Sequence, residues 1–522
     1  MHMTDLLRTL NRRRLIVSIV LAILFSAFTV LGYMLDESDH LHGGLLTFLG
    51  ILGVGALLTP VIYGTLSALV RAERSEPTST ELMSAALRWS LIALAIAWIA
   101  WYLVLFPGVY GYDAPYWYIE HAMSDVPVRA QWSVPYSWTF WLFVETSHRL
   151  LGNYELGLAA LTLLQGVLAY YAAQRMLRLI MQTGRPLLMA IATAILALVP
   201  TIPMVIFSSA QDSPFAALFV LIAVNFVELS LDPHAYWARP YALPRFALLC
   251  LAFCLVRNTG VFILGLTLLA VPFFPKLGRA RLAGSIVIAI VVASIYTGPI
   301  CSFLGVKRYS TIEGMSSIPD HQIIEVYGSH RDELSEADRA QIERYYNERA
   351  LDVGYRMTRI SDDIKEGMND TEVEGDLMGF VGLWLRLGLR YPVDYALAAA
   401  RSTIGLWYPF KSYPDELMYH PFVEPECSVA SQYDERYIDI QSMSAFPAVD
   451  ELLHYLYLWH NENFSRVPFL GVVSSAGLYF WLLLASIGCA ISERRQRDGL
   501  VLAFFASQVF RSSLDLWCFA VM

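Results

Sequence analysis

Residues 12–34 read RRRLIVSIVLAILFSAFTVLGYM. Three arginines stop abruptly and about twenty apolar residues follow, the length that carries a helix across a hydrocarbon core of ~30 Å. In lipid every backbone N–H and C=O must find its partner within the segment, so such a run reads as a helix. The run is too long for the apolar core of a cleavable signal peptide and no small-residue cleavage site follows it. It is expected to stay as an anchor.

The same pattern recurs along the chain. Of its 522 residues, 56% are hydrophobic and only 16% charged, against about 25% charged in an ordinary soluble domain. Eleven spans are expected, at 15–34, 44–70, 89–106, 154–174, 186–206, 215–231, 246–256, 261–274, 282–303, 468–491 and 499–521. The runs are continuous rather than alternating, which argues against a barrel. The fold class expected is all-α, a polytopic transmembrane helical bundle with a mainly helical extracytoplasmic domain.

Orientation follows from the basic residues. With the N-terminus in the cytoplasm, the inside loops collect 18 of the 37 Lys and Arg, and the short outside loops hold only Arg129, Arg149 and Arg257. The same rule decides 134–151, which is apolar enough to tempt. Counting it as a span would push Arg175, Arg178 and Arg185 outside, so it is read as an interfacial or re-entrant helix. The chain then divides into a transmembrane module over 1–303 with an outer loop at 107–153, an extracytoplasmic domain over 304–467, and C-terminal transmembrane helices over 468–522. Within 305–467 there are 28 Asp and Glu against 15 Lys and Arg, while the whole chain carries −9, so the acidity is outside. The charged run 335–365 reads as a solvated amphipathic helix, and 377–389 and 395–407 as amphipathic helices on the membrane face. The expected location is the cell membrane, multi-pass, with membrane lipids as surroundings and no nucleic-acid partner.

Charges next to lipid are costly and tend to mark function. In FPGVYGYDAPYWYIEH, 106–121, Pro107 and Gly108 stop a helix and Asp113 follows among Tyr110, Tyr112, Tyr116, Trp117 and Tyr118. A carboxylate on an aromatic platform suits a general base beside a sugar ring; the plainer reading is a turn-capping aspartate. In SSAQDSP, 208–214, Asp212 could N-cap the next helix, and a capping residue still exposes its carboxylate. In LVRNTGVF, 255–262, the flanking apolar runs are each too short to cross, which strands Arg257 below the outer surface, as a phosphate ligand or as a snorkelling side chain. In the outer domain His321 and Gln322, within SSIPDHQ, and Lys411 and Tyr413, within WYPFKSYPD, are weaker candidates, and a lone loop histidine is more often simply exposed. Of six scattered cysteines, Cys250, Cys254, Cys489 and Cys518 read as small hydrophobes; the pairing of Cys301 with Cys427 is left open by the sequence. No phosphate-binding P-loop, metalloprotease helix, nucleophile elbow or dinucleotide fingerprint occurs, nor an inverted transporter repeat.

The layout resembles the GT-C class of membrane glycosyltransferases, and more closely a bacterial family of GT-C-like proteins with no assigned activity. The matching pieces are Pro107, Gly108 and Asp113; Pro135 with Thr139; Gln165; Asp212; Arg257, Asn258 and Gly260; Pro319 with Gln322; Tyr391 with Pro392; and Tyr413 with Pro414. Two departures stand out: Trp132, Ser133 and Val134 precede Pro135 where the family usually has a histidine, and the chain ends on a span at Met522 where many members continue. The resemblance implies transfer of a sugar from a polyprenyl-phosphate donor to a glycan, lipid or protein acceptor on the outer face. Asp113 would be the base and Asp212 its assistant. Arg257 with Asn258 would hold the departing phosphate, and Tyr112, Tyr116, Trp117, His321, Gln322, Lys411 and Tyr413 would bind substrate. Some class members use a divalent metal, but carboxylates this dispersed make a poor hard-metal cage, so no cofactor is expected. A transporter of lipid-linked glycans and a non-catalytic assembly factor are the competing readings.

Overall fold

The structure is a computed structural model that describes residues 11–38, 44–74, 76–111, 113–307, 317–356, 364–365, 367–410, 435–454, 472–473 and 475–493. Among these residues there is no β-strand, only three isolated bridges. The expected apolar runs are helical: α1 Arg12–Ser38, α2 Leu45–Arg74, α3 Thr80–Val104, then, after two helices in the 107–153 loop, α4 Ala114–Ala122 and α5 Val134–Leu151, α6 Glu155–Gln182. The 186–206 run is two helices, α7 Pro186–Leu198 and α8 Thr201–Ile206, because the chain bends through Val199 and Pro200. Next come α9 Asp212–Leu231, α10 Pro233–Ala238, α11 Ala242–Val256, α12 Gly260–Thr267 with a 3₁₀ extension to Phe273, and α13 Arg279–Ile295, which runs on through a π-helical turn to Phe303.

Six of these helices are long and apolar enough to cross a membrane; four more apolar helices among the described residues are shorter. They leave large apolar side chains such as Leu46, Phe48, Leu57 and Ile96 exposed, surface that water would penalise and lipid solvates. The protein is membrane-embedded. The 499–521 segment lies outside the described residues, as does Cys427; Cys301 is buried.

The chain folds as two compact units, each discontinuous in sequence. One comprises 1–74, 309–419 and 465–522. Its 309–419 segment holds α14 Ser317–His330, α15 Glu336–Tyr345, α16 Glu348–Arg356, α17 Asp370–Gly375, α18 Leu377–Arg390 and α19 Pro392–Trp407. The single helix expected over 335–365 is broken at Tyr346 and Asn347, where Tyr346 turns inward and donates its hydroxyl to Asp320 at 2.6 Å. The apolar faces of α14, α15, α18 and α19 share a core containing Ile323, Ile342, Leu383 and Tyr395. The end of α19 then packs on α1, through Leu35 and Trp407, and on α21 Ala476–Ser492, whose Trp481 Nε1 donates to Trp407 O at 2.9 Å.

The other unit comprises 75–308 and 420–464, and carries α3 to α13 with α20 Pro447–His454. Here α6 packs against α5 and α9, and α11 lies between α9 and α13. Ser133 starts α5, its hydroxyl accepting the N–H of Tyr136, and a left-handed Gly152 ends it.

Candidate functional site

Within the second unit, two loops far apart in sequence form a short parallel bridge. Val109 N–H donates to Phe207 O and Ser209 N–H donates to Val109 O, both at 2.8 Å. The hydroxyl of Ser209 continues the pairing with the backbone of Gly111. The approach requires Gly108: its φ is +129°, and a Cβ there would lie 2.6 Å from Thr162 Cγ2 and 2.9 Å from Phe207 O. Thr162, on α6, also donates to Pro107 O at 2.9 Å. Four residues beyond each bridged position stands an aspartate, Asp113 after Val109 and Asp212 after Ser208. The bridge therefore sets side by side the starts of the two acid-bearing helices, α4 and α9.

Neither carboxylate is spent on capping. Asp113 occupies the N-cap position of α4 and Asp212 is the first residue of α9, and neither helix start has a side-chain cap hydrogen bond. Asp212 instead accepts from Arg257 Nη1. Arg257 sits in extended conformation at the break between α11 and α12, is 2% exposed, and lies over the ring of Phe215 at 5.7 Å. The guanidinium is thus in an apolar wall, with its charge balanced by the carboxylate rather than by water.

The chain around the pair is stitched from three segments. Asn258 Nδ2 donates to Ala130 O at 3.0 Å, Ser133 Oγ donates to Leu255 O, and Ser133 N–H reaches Gln211 Oε1 at 3.5 Å. Asn258 is therefore engaged with backbone carbonyls. Tyr136 OH lies 2.8 Å from Ser209 O and 2.6 Å from the Gln165 amide; turned with its nitrogen toward Ser208 O, that amide accepts from the tyrosine and donates to the bridge at 2.9 Å. Helices α4, α5, α9 and α12 all begin within a few residues of these bonds, so four positive dipole ends converge here.

The aromatic residues divide by exposure. Trp117 is 1% exposed and forms a wall, edge-on to Tyr136 and Phe140 at 5.4 and 5.8 Å. Tyr116 is exposed, stacks on Trp132 at 6.2 Å and meets Tyr437 edge-on at 5.3 Å. Arg129 covers the Trp132 ring at 5.6 Å and binds the buried Glu120 at 2.8 Å. Burial raises the Glu120 carboxyl above the ordinary range against the pull of Arg129, and it pushes His121, bonded to Ser137 Oγ at 2.8 Å, down to about 4.

His321 and Gln322 belong to the other unit. The histidine expected on a loop lies on α14 and is 1% exposed; burial first, then the Lys365 charge, pushes it down to about 4. Gln322 donates to Tyr395 O at 3.1 Å and accepts from Trp384 Nε1 at 2.7 Å. One turn further on, Glu325 and Arg401 form a buried ion pair at 2.7 Å. Tyr112, Lys411 and Tyr413 lie outside the described residues. Among the described residues no three His, Cys, Asp or Glu side chains group as a metal site.

Sequence reasoning missed Tyr136 and Ser133. Both stand at the head of the apolar 134–151 run, whose reading as an interfacial helix drew attention from its polar start. A serine followed two residues later by proline is a cap signal that could have marked Ser133.

No curated protein and no solved structure matches the chain significantly. One family model does match, over residues 130–506, a stretch that contains Asp212, Arg257, Asn258, His321 and Gln322 and begins after Asp113. The chain belongs to that family, described as a family of unknown function, DUF6020.

Proposed function

We propose that the protein is a multi-pass membrane glycosyltransferase of GT-C type, with its N-terminus in the cytoplasm and its site on the outer face of the cell membrane. The observation that carries this reading is the Val109–Ser208 bridge, which gathers two acid-bearing helix starts with Arg257 held beside the second. In this reading Asp113 removes the proton of an acceptor hydroxyl. The oxygen attacks the anomeric carbon of a polyprenyl-phosphate-linked sugar from the side opposite the phosphate, and the bond from that carbon to the phosphate oxygen breaks with inversion. Negative charge grows on the leaving phosphate, where Arg257 and the converging helix starts stabilise it. Asp212 acts by holding the guanidinium in place. The exposed Tyr116, on Trp132, supplies a face on which a sugar ring stacks.

The test is transfer from a polyprenyl-phosphate sugar by the purified full-length chain in liposomes. Asp113→Asn is expected to lower transfer by ~10²–10⁴-fold with unchanged thermal unfolding, the usual range for removing a positioned base. Full activity in that variant overturns the assignment of the base. Lipid translocation in sealed vesicles without any sugar transfer overturns the enzyme reading in favour of a transporter.

A further inference from the structure

The opposite end of α9 carries a second charged assembly that the transferase reading does not use. From Asp212 to Glu228 the helix rises about 24 Å at 1.5 Å per residue, close to the depth of a hydrocarbon core. Glu228 therefore stands at the other membrane boundary. Its side chain is 13% exposed and accepts from Arg175 Nη2 at 2.8 Å and from Arg239 Nη1. Behind it Tyr236 is buried, donates its hydroxyl to Asn225 at 2.8 Å, and carries Arg239 over its ring at 5.3 Å.

These groups line a cavity of about 720 Å³ bounded by α6, α9, α10 and α11. Two more arginines, Arg178 and Arg245, line the same cavity and are exposed, and their side chains make no ion pair or hydrogen bond among the described residues. Four guanidinium groups thus face one carboxylate. An excess of basic residues at one membrane boundary needs only loose, exposed side chains. Here one carboxylate instead fixes two of the four in place, on a buried tyrosine floor, and leaves two forks open. A planar guanidinium fork matches phosphate oxygens. Beside the cavity, and sharing Gln182 with it, lies an apolar slot of about 470 Å³ lined by Leu179, Ile180, Val227 and Leu231. A free phosphate ion has no use for such a slot; an acyl chain does.

We infer that this cavity binds the phosphate headgroup of an anionic phospholipid, with one of its acyl chains in the slot between the ends of α6 and α9. The inference stands independently of the transferase reading.

Native mass spectrometry tests it on the full chain in neutral detergent, with dioleoyl phosphatidylglycerol and dioleoyl phosphatidylcholine supplied in equal amounts. One phosphatidylglycerol retained in preference to phosphatidylcholine is expected, and the double variant Arg178→Gln with Arg245→Gln should weaken it at least tenfold. Both side chains are exposed and unpaired, so thermal unfolding in lipid-free detergent should not move. Arg88→Gln, an exposed arginine outside the cavity, should leave binding unchanged. Equal retention of the two lipids, no loss in the double variant, or an equal loss in Arg88→Gln overturns the proposal. So does displacement of the lipid by inorganic pyrophosphate at matching concentration, which would make this a site for a soluble phosphate.

Discussion

At its first residue α9 offers Asp212 to one arginine that is 2% exposed; at Glu228, four turns on, it offers a carboxylate to two arginines that are 19% and 47% exposed. The chemistry is the same and the solvent differs. At the Asp212 end the guanidinium cannot call on water, so its charge is tolerated only because the carboxylate is there and because Phe215, Asn258 and Ser133 fix the surrounding chain. At the Glu228 end water screens the pairs, and the two unpaired forks beside them, Arg178 and Arg245, can take another anion at small cost. A buried guanidinium locks geometry, whereas guanidiniums within reach of water recruit a partner.

The largest effect that could break this contrast is at Arg257. Arg257→Met leaves Asp212 without its counter-charge and should lower unfolding stability by ~3–5 kcal/mol in a denaturant titration. Adding Asp212→Asn should restore much of that loss. A single-variant cost below ~1 kcal/mol would put the two ends in the same class. Next in size is Gly108→Ala, which alters no charge. It forces a side chain against Thr162 and the Phe207 carbonyl, and should cost about 1–3 kcal/mol while leaving phospholipid retention at the Glu228 end untouched. Loss of lipid retention in that variant would show that the two ends are not separate. The smallest effect is at Arg239, where Arg239→Gln should cost no more than about 1 kcal/mol, a difference that shrinks further in high salt. A salt-independent loss would mean that the Glu228 cluster is as dry as the other.

The sequence made the helices legible because lipid imposes one rule on every residue of a span. The runs at 15–34, 44–70 and 89–106 became α1, α2 and α3, and the stranding of Arg257 between two short helices was readable from run length alone. The breaks at Pro200 and at Tyr346 were missed for different reasons: the first has a local signal in the proline, while the second depends on Asp320, 26 residues away. Within the candidate site, single residues were legible and their partners were not. Asp212 and Arg257 were both singled out, but their pairing joins positions 45 apart, and nothing local to either announces the other. The same holds for Tyr136 and Gln165, 29 apart, whose contact needs α5 and α6 to fold back on one another. Of the aromatic candidates, Trp117 proved to be wall and Tyr116 surface, a division set by which way the short helix α4 turns its faces.

The Val109–Ser208 bridge also has a temporal meaning. Its two sides are about 100 residues apart, so at a synthesis rate of ~5–20 residues per second the first side exists for ~5–20 seconds before the second is made. During that interval Gly108 has no Phe207 carbonyl to sit against, and the start of α4 rests on α5 alone. A chain stalled before residue 207 holds its first acid without the bridge that ties it to the second. The protein is assembled in an order that keeps its earliest candidate catalytic group unfinished until α9 has begun to form.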